Sequence, residues 1–482
     1  MASIKTNVFY SSVLSIAGYL FPIITYPYVT RVLGVESLGA NNFVDSVVHY
    51  FTFLSMMGMS VLGVREIAKC NNDKKLLSQS FSSLVALNLI TSLIAILVLL
   101  ISVYCSNRLN EYKELFYVGA ARILFNSLLI EWFFKGIENF KYITTRSLAI
   151  RVIYVISIFV FIHTPQDYKL YFFLTSCITF FNALCNLSYS TKFVNFTPKS
   201  IKIKLYWKPF ILLGIYQLLV TTYTTFNAIY LGFVSNDVEV GYYTVVTKLY
   251  YIILSVFTAF TGVMLPRMSA LRSEGDACAY KSLVDKSMNI LFVVAFPAII
   301  LTEICAPQII NILAGEEYSH SISIMRIIMP LVFIVGYEQI LVVQILTSMG
   351  KDKDILITSV IGVSVALLLN VLLVPRLYSV GSAIVWVISE LCVLFASQIF
   401  VTKYTGIQFP FKQFFVNIVY ALPIVIIGLF LMNLMSYGLL SLTIYFIVVI
   451  LYYFVIEWFV IKNQLLMSSF TKIINQFVSQ KS

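Results

Sequence analysis

Charge is scarce in this sequence. Only 11% of its 482 residues are Asp, Glu, Lys or Arg, where a soluble domain carries about 25%. Histidine is nearly absent, with three residues, and the seven cysteines form no CxxC pair. That excludes a zinc-finger spacing and an even-numbered disulfide framework, so no metal or cofactor is expected. The cysteines, among them Cys177 and Cys185 in one hydrophobic segment, read as small apolar fillers. Long polar loops are missing too: the longest stretches between hydrophobic runs are 191–207, 265–283 and 307–320. None is large enough to hold a soluble catalytic domain, and no linker or low-complexity segment divides the chain.

Hydrophobic residues make up 60% of the sequence. Stretches such as Leu93–Ile101 and Val365–Val374 are almost continuously apolar. A bilayer core needs about 20 such residues per helix. A transmembrane barrel would instead show alternating segments of about ten residues. In lipid the backbone must find its hydrogen-bond partners internally, which a helix provides. The expected class is therefore an all-α polytopic membrane protein. Its first run follows a sparse basic start, Lys5, and is too long for a signal-peptide core, so it reads as retained.

About fourteen transmembrane helices are expected, near 8–30, 39–64, 79–103, 115–137, 147–163, 169–190, 208–233, 241–264, 284–306, 321–346, 355–374, 382–402, 415–435 and 440–461. Of the 33 Lys and Arg residues, 24 fall in loops on the N-terminal side, 5 in the opposite loops and 4 inside helices. Basic loops stay cytoplasmic, so both termini are expected inside. The net charge of +11 then reports topology rather than nucleic-acid binding.

A weak repeat runs through the chain. Gly39 and Arg65 stand 26 residues apart, as do Gly241 and Arg267; Leu33-Gly34 precedes the first pair and Leu231-Gly232 the second. Gly136 in FFKGIENFKY and Gly350 in TSMGKDKDIL both follow the fourth helix of a half, and Pro165 and Pro375 both follow the fifth. The shared order predicts an N-terminal lobe over 1–190, a basic cytoplasmic connector over 191–207 and a C-terminal lobe over 208–402. Residues 403–482 add two helices and a tail. Two six-helix lobes related by a parallel repeat place a substrate path between them.

The segment FPIITYPYVTRVLGVESLGANNFVDSVVHYF (Phe21–Phe51), with GVREIAK (Gly63–Lys69), resembles the start of bacterial Wzx-type polysaccharide repeat-unit flippases. These belong to the multidrug/oligosaccharidyl-lipid/polysaccharide exporter superfamily. PYVTRVLG (Pro27–Gly34) is the most specific piece; WFFKGIENFKY (Trp132–Tyr142) and GKDKD (Gly350–Asp354) agree with it. The resemblance implies a flippase of the bacterial inner membrane that moves undecaprenyl-diphosphate-linked oligosaccharide from the cytoplasmic to the periplasmic leaflet, for O-antigen, capsule or similar polymers. Its implied partners are that lipid-linked sugar and membrane lipids, with a polysaccharide polymerase and other assembly proteins as candidates. The same superfamily contains drug/cation antiporters and a peptidoglycan-precursor flippase.

Such a substrate asks for a polar, cationic cavity rather than a nucleophile. Charges within spans are costly and usually face a cavity or a partner. Arg122, Lys248 and Arg326 each lie five to seven residues from the outer helix ends, roughly 8–10 Å deep at 1.5 Å per residue. They are candidate diphosphate ligands, the alternative being snorkelling to the headgroups, which is also the reading for Arg151. Arg31, in the PYVTRVLG motif, would guard the cavity at the outer mouth or hold lipid phosphate there. Gln217 with Thr221, Thr222, Thr224, Thr225 and Asn227, and Glu338 with Gln339 and Gln344, offer partners for sugar hydroxyls or for neighbouring helices. Asp45 and His49, one helical turn apart, form either a coupling pair or a satisfied polar contact; Glu131 and Lys135 read as neutralising each other. Pro22 and Pro27 are expected to interrupt the first helix as a gate. A drug or cation antiporter fits a cationic lumen poorly. A membrane polymerase or ligase lacks the outer loop it would need, and a structural assembly partner would not need buried Arg and Lys.

Overall fold

The computed structural model describes residues 4–70, 73–434 and 438–456. Among the described residues the regular structure is helical, with no strand. Ten helices among the described residues are long and apolar enough to cross a membrane, and Thr225–Val234 and Leu439–Val455 are shorter apolar helices. Two of the ten, Leu20–Cys70 and Asp352–Thr405, run to 51 and 54 residues, more than twice the about 20 that a bilayer core takes. Each is broken internally, at Gly34 (φ 73°, ψ 174°) and at Tyr378 (φ 48°, ψ −124°). Each therefore has the length for two crossings.

The first of these breaks corrects an expectation. The helix Ile4–Met56 runs through both Pro22 and Pro27 in helical geometry and leaves it at Gly34. A proline forfeits one backbone hydrogen bond, a loss this long helix absorbs. A positive φ is cheap for glycine, which has no Cβ.

The chain forms two compact units. The first comprises Met1–Thr244 and Val363–Trp386, so it draws on both lobes expected from the sequence. Its aromatic core gathers Trp132, Phe133 and Phe134 against Ile67, Phe81 and Phe210. Two glycines make that packing close: a Cβ on Gly63 would stand 2.6 Å from the Trp132 ring, and one on Gly136 2.7 Å from Ile67. GVREIAK and WFFKG, two of the motifs that carried the resemblance, thus pack on each other. Just before Trp132 the span is broken, with Ile130 in the left-handed region at φ 39°. The carbonyl oxygens freed there are used: Asn88 Nδ2 donates to Ser127 O at 3.1 Å, and Asn186 Nδ2 donates to Leu129 O.

The second unit comprises Val245–Gly362 and Val387–Ser482. Phe333 is its hub, with ring centroids 5.5 Å from Phe292, 5.7 Å from Phe296 and 5.3 Å from Phe414. Directly after Leu331–Gln339 the chain widens into a seven-residue π-helix, Ile340–Leu346, a form usually limited to a single turn at functional sites. An open cavity of about 840 Å³ lies against this hub, lined by Phe296, Tyr337, Phe395 and Phe409 with Gln398 and Thr402.

Candidate functional site

The first unit holds a charge pair within its spanning segments. Arg122 lies in the span Lys113–Gly136, and its Nη1 donates to Asp45 Oδ1 at 2.6 Å. The Arg122 side chain is 18% exposed and that of Asp45 47%, so the cation is tucked in while the anion stays accessible. The Arg122 guanidinium also sits 6.0 Å from the centroid of the buried Phe172 ring. Tyr154 and Tyr171, hydrogen-bonded to each other, lie within electrostatic reach of Asp45. A cavity of about 770 Å³ opens beside Arg122, lined mainly by Phe125, Ile153, Phe173, Phe180 and Phe181. That lining suits hydrocarbon, and Arg122 is the charged group on it.

Asp45 forms its ion pair with Arg122, and His49 stays within electrostatic reach of the same carboxylate. His49 is exposed one turn further on, its ring packed edge-on against Phe53 at 4.6 Å. Side chains four residues apart on a helix are neighbours, and the Arg122 guanidinium reaches the same carboxylate from another helix. Arg31 is exposed and folds back on its own helix, donating to Pro27 O at 3.0 Å. Arg151 reaches Ala17 O at 3.3 Å. On Ile203–Val234, Asn227 accepts from Asn370 Nδ2 at 2.7 Å and Thr222 bonds its own helix, so part of that polar stretch serves helix contacts. The Gln217 side chain lies outside the described residues.

Glu131 has two partners. Lys135 Nζ is 3.8 Å away, and Arg146 Nη2 is closer at 3.1 Å. Arg146 reads as a loop charge in the sequence, but its side chain is 6% exposed and also donates to Asn186.

Lys248 is half-buried in the second unit. Arg326 is exposed there, its Nε 3.2 Å from Glu303 O. Glu338, half-buried, shares a hydrogen bond with Glu390, whose side chain is buried. Gln339 donates to Thr258 and accepts from Thr261, both at 3.0 Å, and Tyr337 donates to Gln398 at 2.6 Å. Glu390 carries no signal in the sequence beyond being an acid in an apolar run. Among the described residues no group of three or more His, Cys, Asp or Glu side chains is placed to hold a metal.

The model of the polysaccharide biosynthesis protein family matches residues 4–272. A protein of Escherichia coli (strain K12), named "Putative O-antigen transporter", is 22% identical over 420 residues, covering 83% of this chain and 97% of the relative. Its namesake in Shigella dysenteriae is 24% identical over 374 residues, covering 76% and 91%. In fold, the chain is similar to the lipid II flippase MurJ in an inward closed conformation, with a TM-score of 0.74 and 14% identity over 94% of this chain and 99% of that one. An inward-facing multidrug resistance MATE family transporter of the MOP superfamily aligns with a TM-score of 0.60 and 16% identity over 84% and 96%.

Proposed function

The chain belongs to the polysaccharide biosynthesis protein family, and from that premise we propose that it is a flippase for undecaprenyl-diphosphate-linked oligosaccharide. The substrate passes from the cytoplasmic to the periplasmic leaflet of the bacterial inner membrane. Two lobes, 1–190 and 208–402, alternate around it, with both chain ends inside. The relatives' transporter names and the MOP-type fold support this reading.

The observation that carries it is the Arg122–Asp45 pair. A cation inside a span needs a partner, and here the partner is a carboxylate that keeps 47% of its side chain exposed. An arriving diphosphate, with more charge than one carboxylate, can take over the guanidinium. Asp45, whose side chain is half exposed, is then released toward water, which can hydrate it. Arg122 is in this reading a diphosphate ligand and Asp45 the group that holds its place, while Lys248 is a candidate cation for the substrate in the second unit. Glu338 with Gln339 and Gln217 would serve the sugar. Arg31 and Arg326 would meet the substrate or lipid phosphates at the outer ends.

A second reading, a drug or cation antiporter of the same fold, is favoured by one observation, the hydrogen-bonded Glu338–Glu390 pair. Two carboxyl groups in contact need a proton or a cation between them. Complementation separates the two readings. In a bacterium lacking its own repeat-unit flippase and making the matching repeat unit, the wild-type chain restores surface polysaccharide, and Arg122→Ala and Lys248→Ala at equal membrane levels do not. Rescue by both variants would discard the cationic site. Failure of the wild-type chain, combined with drug resistance that Glu338→Gln removes, would favour the antiporter.

A further inference from the structure

We infer that Arg108, Tyr112 and Asp237 form a latch that closes the outer ends of the helices and must open once in every transport cycle; this rests on the transport reading above. Arg108 sits in the four-residue helix Asn107–Asn110, between two spans of the N-terminal half. Asp237 opens the helix Asp237–Glu274 of the C-terminal half. All of the contacts that follow lie within the first compact unit.

Arg108 donates to four partners, the longest contact being from its Nη1 to the Tyr112 hydroxyl at 3.4 Å. Its Nη2 donates to Asp237 Oδ1 at 2.6 Å, its Nε to Gly232 O at 2.9 Å and its Nη1 to Glu111 Oε2 at 2.8 Å. Tyr112 donates its hydroxyl to the other Asp237 oxygen. Burial and the Asp237 carboxylate push the Tyr112 pKa up, which keeps it a donor. The guanidinium also lies 5.1 Å from the centroid of the Phe43 ring.

Beneath this polar cap the two halves meet backbone to backbone. A Cβ on Gly39 would stand 1.8 Å from Asp237 O, and one on Gly241 2.5 Å from Val35 O. These are the two glycines that open corresponding helices in the sequence repeat. Further along the same helices, Asn42 Nδ2 donates to Thr244 Oγ1 at 2.8 Å, and both residues are buried. Glu239 makes a second tie from the same helix start, accepting from Ser379 N at 3.1 Å and from the Ser379 hydroxyl. Ser379 directly follows the break at Tyr378.

A permanent joint would bury interlocking apolar side chains, as the Trp132 core does. This one has backbone contacts at two glycines, the Phe43 ring seated against Gly232, and an ionic cap. The attraction of a buried ion pair is largely offset by its lost hydration, so water entering an opening mouth repays most of what the contact is worth. The cap is already at the edge of water, since Glu111 is 55% exposed and Arg108 22%. At the Gly39–Asp237 contact backbone meets backbone, so parting there withdraws no large side chain, and the Phe43 ring against Gly232 is what must slide free. Both features suit a contact that is made and broken repeatedly.

The test uses the full chain with its seven native cysteines replaced, in membranes of intact cells. Thr244→Cys is treated with a membrane-impermeant maleimide from outside. Labelling should rise about tenfold when Arg108→Ala or Asp237→Ala is added, the effect of losing a charged hydrogen bond, with Arg108→Lys intermediate. Separately, Asn42→Cys with Thr244→Cys is oxidised; surface polysaccharide delivery should stop and resume on reduction. Unchanged labelling in both alanine variants, or undiminished delivery by the oxidised pair, overturns the latch. Should the alanine variants fail to reach the membrane, the oxidation arm alone decides. Should the wild-type chain deliver no polysaccharide, the flippase reading fails while the labelling arm still reports whether the contact gates access.

Discussion

In the first unit two ion pairs lie within the spans: Arg122 meets Asp45, and Arg146 meets Glu131. In the second unit Glu338 faces Glu390, and Arg326 lies beside Glu303, donating to its backbone oxygen within electrostatic reach of its carboxylate. An opposite-sign pair is complete in itself and can be opened by a competing ion. Two carboxyl groups in contact repel each other unless a proton or a positive charge stands nearby. The two units thus differ in how charge within their spans is met, by ion pairs in the first and by a carboxyl pair in the second.

The strongest way to break this comparison is Arg122→Ala. Losing a charged hydrogen bond costs about 1.5–3 kcal/mol of binding, so polysaccharide delivery should fall by about tenfold to a hundredfold. Membrane levels should change little, since Asp45 is 47% exposed and screened by water. Adding Asp45→Ala should not restore delivery. Normal delivery by the single variant would remove the first unit from the anion path.

Next in size, Glu338→Gln and Glu390→Gln should each lower delivery by about tenfold or less, and the double variant should do little further harm, because residues in contact are not additive. Independent, multiplying effects would show that the carboxyl pair does not act as one unit.

A purely structural contrast comes from Gly63→Val, which would force a side chain into the Trp132 ring 2.6 Å away. Overpacking of this kind costs about 1–3 kcal/mol, to be read as a lower membrane level with unchanged delivery per molecule. Smallest of all, Tyr112→Phe removes one neutral donor from Asp237 and should cost about 1 kcal/mol, seen as a slight rise in Thr244→Cys labelling. Arg108→Ala should exceed it clearly; equal effects would mean that the ion pair adds nothing to the cap.

Some of these features were legible before any coordinates. Leu33-Gly34 marks a real break, because a positive φ there needs a residue without a Cβ. The correspondence of Gly39 with Gly241 was visible as spacing, though not that the two helix starts touch. Ile130 and Tyr378, which take positive φ without being glycine, were invisible, and Pro22 and Pro27 pointed to an interruption that the helix does not make. Arg146 looked like one more loop charge, and Glu390 like nothing in particular. In each case the deciding partner is remote in sequence: Asn186 for Arg146, Glu338 for Glu390, Asp237 for Arg108.

The sequence by itself determined that this chain lives in a membrane as a bundle of helices. Lipid offers the backbone no hydrogen bonds, and a run of about 20 apolar residues has no other stable form there. It also narrowed the functional groups to a few charges, because each charge inside a span must be justified by a partner or a substrate. Only the tertiary structure decided which partner each charge has. Hydrophobicity places helices in the bilayer without preferring one neighbour over another. The pairing of Arg122 with Asp45, and of Arg108 with Asp237, comes from glycine contacts, breaks and side-chain reach between segments 77 and 129 residues apart.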